Sequence, residues 1–247
     1  MTKELAAKLR ELADKYEVAA FCDEDPSQFL RWYNPAEGRG TVADVEAASF
    51  IAAMLAFGNR KQFIPKIKEI LQTSDRSVGS ISKWLRSGAY KKDFPCGEKK
   101  FYRFYSYDDM QIFFGELAEI LEQSGSLGEY FRGFSLLADV VSGSFPKSAI
   151  VPKGRASANK RVHMFLRWMV RQDSQVDLGI WKWADPAELL IPLDVHVMQE
   201  AAKLGLIPEK ATASRKTAEL LTSALNEVFP GDPCRGDFAL FGLGVDK

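Results

Sequence analysis

The chain has 247 residues, of which 46% are hydrophobic and 27% are charged, and its formal net charge is zero. This length is enough to bury a sizeable core in one domain or two lobes, and the composition is that of a globular protein. The overall charge gives no indication of a nucleic-acid partner, so such a site would have to arise from local segregation of charge.

Cysteine usage and hydropathy exclude several classes of protein. The three cysteines are far apart in sequence and form no CxxC pair, which argues against a disulfide framework, a zinc ribbon and a local iron–sulfur loop. The amino-terminal segment is charged and has no apolar core for a signal peptide, and no run of about 18 apolar residues could span a membrane. We therefore expect a cytoplasmic protein with no membrane partner, no metal site and no cofactor.

Nearly every periodic segment predicts a helix. Residues 3–16 and 44–57 have apolar residues at helical spacing, and a further helix follows Gly58. Ser106 and Ser126 each precede an acidic residue by three positions, which is the form of a capping box before a helix. No alternation of apolar and polar residues is long enough to require a sheet. The sequence therefore predicts an all-α fold with two lobes.

The segment from Lys147 to Arg171 concentrates positive charge. Its lysines and arginines are accompanied by no acidic residue, and they are Lys147, Lys153, Arg155, Lys160, Arg161, Arg167 and Arg171. At helical spacing, Lys160, Arg167 and Arg171 share one narrow face, opposite an apolar face. The pattern predicts an amphipathic helix whose positive face and N-terminus attract an anion such as phosphate. A basic face that is merely solvated is the alternative, and both remain open at this point.

Asp194 lies at the N-cap position of the next helix, whose Val197 and Ala201 fall on the same side. A capping carboxylate accepts backbone N–H bonds, so we expect the pKa of Asp194 to be low and the group to be ionised at neutral pH. An ionised carboxylate at an apolar helix start can also stabilise developing positive charge or accept a proton. A capping role and a catalytic role are therefore compatible, whereas the neighbouring His196 fits a structural histidine better than a metal ligand.

Two segments resemble the helix-hairpin-helix DNA glycosylase superfamily. The stretch IPLDVHVMQEAAKLGL is similar to the segment that carries the catalytic aspartate of active members, and SANKRVHMFLRWMV is similar to the preceding helix with its Schiff-base lysine. The separation of Lys160 from Asp194 is closer to the 8-oxoguanine glycosylase branch than to the endonuclease-III type. More closely, most of residues 25–245 resembles a bacterial family of conserved proteins of unknown function, in the stretches DVEAASFIAAMLAFGNRKQ, FYRFYSYDDM, NKRVHMFLRWMVRQD, IPLDVHV and DPCRGDFALFGLGV.

The resemblance implies a two-lobed helical bundle of the helix-hairpin-helix glycosylase type, formed by residues 1–247 as a single domain with the site in the cleft between the lobes. It implies a monomeric DNA glycosylase and AP lyase acting on double-stranded DNA that carries a damaged base, such as 8-oxoguanine, or an abasic site. Lys160 would form the Schiff base and Asp194 would support the sugar cation. The implied DNA-binding residues are Lys153, Gly154, Arg155, Arg161, Arg167 and Arg171, and the implied base pocket comprises Phe57, Asn59, Arg60 and Gln62.

The sequence also departs from the superfamily pattern. Only residues 152–155 match its hairpin, Lys160 lies several residues further on, and the iron–sulfur cysteines of some members are missing. A non-catalytic DNA-binding protein and a helical protein-interaction domain remain alternatives. Asn59 and Gln62 fit helix-junction caps equally well, and Asp237 is interpreted as a cap or packing residue with a site role left open.

Overall fold

The computed structural model describes residues 1–245, and this part of the chain is mainly helical, as predicted. Its helices are α1 (Lys3–Tyr16), α2 (Val42–Leu55), α3 (Arg60–Val78), α4 (Ile81–Arg86), α5 (Tyr90–Asp93), α6 (Tyr107–Ser124), α7 (Leu127–Phe131), α8 (Leu137–Gly143), α9 (Lys160–Val170), α10 (Val195–Lys203), α11 (Arg215–Asn226) and α12 (Gly236–Val245). A short antiparallel hairpin, β1 (Lys100–Tyr102) and β2 (Tyr105–Ser106), was not predicted. No helix within residues 1–245 combines the length and the apolar character needed to cross a membrane.

The chain divides into two compact units. The terminal unit consists of Met1–Asp23 together with the chain from Lys153 onwards, and the middle unit is Glu24–Pro152. Lys160 and Asp194 both belong to the terminal unit. The residues of the implied base pocket belong to the middle unit.

Helix α2 is the centre of the middle unit. Every residue from Asp44 to Leu55 is buried, and the many alanines let α3, α4 and α7 approach this helix closely. The ring of Phe50 stacks on that of Phe145, with centroids 4.8 Å apart, and also on that of Phe113. A helix that is mainly apolar and has no polar face is buried on all sides, and α2 follows that rule from Asp44 onwards.

A buried carboxylate fixes how α2 and α4 begin. Asp44 forms a capping box with Thr41, and its Oδ1 also accepts hydrogen bonds from the Ser80 hydroxyl (2.6 Å) and the Ser82 N–H (2.8 Å). Burial would raise the pKa of Asp44, but these donors outweigh it and hold the pKa below its usual value. The Asp44 side chain thus anchors two helix starts that are far apart in sequence.

Two helix starts predicted from the sequence are confirmed. Ser106 forms a complete capping box with Asp109 at the start of α6, and Ser126 caps α7 by accepting the N–H of Glu129. These caps depend on residues three positions apart, which explains why the sequence alone reveals them.

In the terminal unit, α12 packs against α1 and α10. Gly242 permits the close approach to α1, since a Cβ atom there would lie 2.0 Å from the ring of Tyr16. Gly236 likewise makes room for α11, since a Cβ atom there would lie 2.5 Å from Leu225. The apolar core beside them includes Leu9, Ala13, Ile191, Leu193, Val197, Ala201, Ala218, Leu221, Leu225, Ala239 and Leu240. This packing positions the starts of α9, α10 and α12, where the candidate site lies.

Candidate active site

Lys160 and Asp194 are in direct contact. Lys160 is the first residue of α9, and its Nζ lies 2.8 Å from Oδ2 of Asp194, the N-cap of α10. The other carboxylate oxygen of Asp194 accepts the N–H of Val197 at 2.8 Å, which confirms the predicted cap. Both side chains remain accessible, at 38% and 28% exposure. The fold therefore joins an amine and a carboxylate that solvent and a ligand can reach.

The environment of Asp194 keeps this carboxyl ionised. Burial would raise the pKa of Asp194, but the ammonium of Lys160 and the N–H of Val197 together hold it below its usual value. The low pKa predicted from the cap is therefore confirmed, although the sequence did not reveal the contribution of Lys160. The resting contact is an ammonium–carboxylate hydrogen bond.

The loop before α9 fixes where the helix begins. Asn159 adopts a positive φ of 40°, and its side-chain amide donates to the carbonyl of Gly154 at 3.1 Å instead of capping the helix. Its backbone N–H donates to the hydroxyl of Ser157 at 3.3 Å. A left-handed residue turns the chain sharply, so Lys160 enters the helix directly after this tight loop.

Arg167 and Arg171 do not form an exposed positive face. Their side chains are only 4% and 2% exposed, and both lie in a buried ion-pair cluster. Arg167 contacts Asp177 and Asp237, whereas Arg171 contacts Asp177, Glu17 (2.9 Å) and Asp232 (2.7 Å). The prediction that Arg167 and Arg171 bind DNA is therefore wrong, because a buried guanidinium surrounded by carboxylates cannot reach a phosphate.

The apolar face predicted for this helix is buried, as expected. The opposite face is not exposed, however, because every residue of α9 from Val162 to Val170 is buried and only the first turn reaches the surface. The acids that neutralise Arg167 and Arg171 come from distant parts of the chain, including Glu17 and Asp232. A count of charges within residues 147–171 could not reveal partners that only folding brings to the helix.

Asp237 is a functional candidate that the sequence left undefined. It lies in the first turn of α12 and forms an ion pair with Arg167. The charges of both Asp194 and Lys160 affect its pKa. Burial raises the pKa of Asp237 to about 6, against the opposing charges of Arg167 and Lys160. The charges of Lys160 and Asp194 thus act on a second carboxyl group, whose pKa of about 6 is close to neutral pH. One sequence signal was present: Asp237 is the single charged residue of the otherwise apolar α12.

The raised pKa of Asp237 predicts a specific dependence of stability on pH. The folded protein binds this proton more tightly than an unfolded chain with a pKa of 3.8, so the stabilising contribution is complete below pH 3.8 and is lost as the pH rises to about 6. We expect the free energy of unfolding of the wild type, minus that of Asp237→Asn, to fall across this range in urea titrations. The exposed Asp173 is the control, and an equal effect of Asp173→Asn would contradict the assignment.

A family model described as a protein of unknown function (DUF2400) matches residues 25–246. The chain belongs to this family. No curated protein and no solved structure matches the chain. The description of the family assigns no activity, so the function must be argued from the geometry of the site.

In this family member the other implied DNA-binding residues precede or begin α9. Lys153, Gly154 and Arg155 lie in an exposed loop, and Arg161 is half-buried in the first turn of the helix. The expected hairpin between two helices is not formed here, because residues 144–159 contain no helix. The loop is instead tied to the start of α11, where Ser157 forms an antiparallel bridge with Ser214.

The residues of the implied base pocket lie at the start of α3 in the middle unit. Asn59 is the N-cap of this helix, with its Oδ1 accepting the N–H of Lys61 at 2.9 Å, so the capping alternative is confirmed for this residue. Phe57 is half-buried among aromatic rings, Arg60 lies 3.7 Å from Asp25, and the Gln62 side chain is exposed.

Proposed function

We propose that the protein is a DNA base-excision enzyme of the helix-hairpin-helix glycosylase type, with Lys160 as nucleophile and Asp194 as its acidic partner. The observation that carries this proposal is the 2.8 Å contact between Lys160 Nζ and Asp194 Oδ2, which joins two helix starts 34 residues apart. A nucleophilic amine needs a group within hydrogen-bonding reach to take its proton, and Asp194 meets this requirement.

The chemistry follows from the resting state of the pair. Lys160 must first lose a proton, which Asp194, the group in contact, accepts and passes on to the departing base, so that Asp194 is ionised again. The neutral amine attacks C1′ of the nucleotide, the bond from C1′ to the base breaks, and the base leaves with the relayed proton. The ionised Asp194 stabilises the positive charge that develops on the sugar. Opening of the sugar ring then yields a Schiff base, from which β-elimination nicks the strand.

The surroundings of the pair support an anionic substrate. Lys153 and Arg155 lie exposed in the loop before α9, and Lys160 itself opens the first turn, where the helix dipole is positive. The first turn of α9 contains no acidic residue. The mainly helical chain with two compact units also supports the proposed fold type.

Borohydride trapping tests the nucleophile directly. Wild-type protein mixed with duplex DNA that carries an abasic site or 8-oxoguanine is expected to give a covalent adduct, and Lys160→Ala is expected to give none. Lys203 provides a matched control, because its Nζ is also 2.8 Å from a carboxylate, Glu200, in the same unit. Lys203→Ala is therefore expected to trap as efficiently as the wild type.

The other outcomes decide between the alternatives. An adduct that persists in Lys160→Ala means that another amine reacts, and the assignment of the nucleophile is then wrong. Absence of any adduct with the wild type, combined with salt-dependent DNA binding, favours a non-catalytic DNA-binding protein. Absence of both adduct and DNA binding overturns the proposal in favour of a protein-interaction domain.

A further inference from the structure

The turn of the β1–β2 hairpin exposes an aromatic ring in the middle unit. Tyr102 pairs with Tyr105, so Arg103 and Phe104 form a two-residue turn between the strands. The side chain of Phe104 is exposed, and the residue as a whole has a relative exposure of 58%. An aromatic ring that is held outward at a turn is available for stacking.

The hairpin turn is held rigidly. Arg103 adopts a positive φ of 50°, a conformation in which glycine is the usual residue, and strained backbone of this kind concentrates at functional sites. Its guanidinium lies 5.6 Å from the ring centroid of Phe57 and packs on Gly58, where a Cβ atom would be 2.1 Å from Nη1. The hydroxyl of Tyr102 donates to the carbonyl of Phe57. These contacts tie the turn to the junction of α2 and α3.

The supporting rings leave one side of Phe104 open. Its ring lies 5.4 Å from that of Phe57 and 4.6 Å from that of Tyr105, measured between centroids. Both supporting residues are more buried than Phe104. The exposed ring therefore has a preformed backing, and a flat ligand could stack on it without a rearrangement of the hairpin.

The charge of this surface matches a nucleic acid. Residues 57–62 and 99–106 contain no acid, although the exposed Glu98 adjoins the second stretch, and their exposed cations are Arg60, Lys61, Lys99, Lys100 and Arg103. One acid from another segment, Asp25, lies 3.7 Å from Arg60. The first turn of α3 also contains no acidic residue, so its helix dipole adds to the positive charge. Positive charge around a stacking ring is the combination by which proteins hold unpaired nucleotides.

We propose that Phe104 is a stacking platform for an unpaired base of DNA, with Arg103 and the adjacent cations contacting the phosphates. The choice of DNA as partner rests on the proposed function, because flipping out a damaged base, or losing it, leaves the opposite base unpaired. The assignment concerns a different unit of the chain from Lys160, so the two proposals can be tested separately.

Fluorescence anisotropy tests the stacking platform by measuring the affinity of the protein for two labelled duplexes, one with a single abasic site and one intact. We expect Phe104→Ala to weaken binding to the abasic duplex about tenfold and to leave binding to the intact duplex unchanged. Phe104→Trp is expected to retain affinity. Phe134→Ala is the matched control, because Phe134 is 52% exposed in the same unit. A 2-aminopurine placed opposite the abasic site should lose fluorescence on binding to the wild type but not to Phe104→Ala.

Further variants distinguish the phosphate contacts proposed for the cations from the reaction proposed at Lys160. In a plot of log affinity against log salt concentration, Arg103→Ala is expected to reduce the slope by about one, the value for one lost phosphate contact. Arg132 is an exposed arginine of the same unit, and Arg132→Ala should leave the slope unchanged. Lys203→Ala, which removes a lysine outside the proposed site, should bind the abasic duplex as the wild type does. If Phe104→Ala binds as tightly as the wild type, the platform is wrong even where trapping succeeds. Phe104-dependent binding without trapping would overturn only the proposed chemistry.

Discussion

Replacement of Arg171 by methionine is expected to lower the free energy of unfolding by about 3–5 kcal/mol. The guanidinium of Arg171 is buried and contacts three carboxylates, those of Glu17, Asp177 and Asp232. Burial alone would lower the pKa of Arg171, but these carboxylates raise it above its usual value, so the cation is retained. Without the guanidinium, the three carboxylates are left buried close together without a cation, and their repulsion and desolvation lower the free energy of unfolding.

Arg215→Met is the control for this prediction. Arg215 pairs with Glu219 one turn further along α11, and its side chain is 30% exposed. A solvent-exposed pair contributes less than about 1 kcal/mol, so we expect a correspondingly small change in urea denaturation. A loss in Arg171→Met as small as that in Arg215→Met would mean that water solvates the buried ion-pair cluster.

Replacement of Asp194 by asparagine is expected to slow base excision about 100- to 10,000-fold. Asparagine caps helices as well as aspartate does, and the Lys160–Asp194 pair is partly exposed, so the free energy of unfolding should change by less than about 1 kcal/mol. The variant thus separates the cap from the chemistry. Single-turnover excision from a duplex with 8-oxoguanine measures the rate, and anisotropy on the same duplex should give an unchanged affinity.

Asp185→Asn is the matched control for Asp194→Asn. Asp185 also caps a short helical turn in the terminal unit, by accepting the N–H of Ala187 at 2.9 Å. It belongs to the part of the chain between α9 and α10 and has no role in the proposed chemistry. We expect wild-type excision from Asp185→Asn. Equal rates for Asp194→Asn and the wild type would contradict a catalytic role for Asp194.

The sequence by itself determined the features that depend on interactions between residues close together in the chain. Helical spacing indicated the helical class, and residues three positions apart identified the caps at Ser106, Ser126 and Asp194. Each of these involves one turn of chain, so local periodicity and hydrogen bonding decide it before any tertiary contact forms. Lys160 and Asp194 were also selected from the sequence, through their resemblance to a known pair of segments.

The hairpin and its exposed ring depended on longer-range contacts. The basic and aromatic residues around Phe104 have no alternating pattern, and the strands are too short to give one. The hairpin forms because its turn is fixed against Phe57 and Gly58, some 45 residues earlier in the chain. Such a contact has no signal in the local sequence.

The tertiary structure alone decided which charges are available. Arg167 and Lys160 stand on the same predicted face, yet Arg167 is buried with Asp177 and Asp237, whereas Lys160 remains accessible beside Asp194. The reason is physical: a buried charge is stable only when opposite charges surround it, and here those carboxylates come from other segments of the chain. Sequence reveals the sign of a charge, and only the fold reveals its partner.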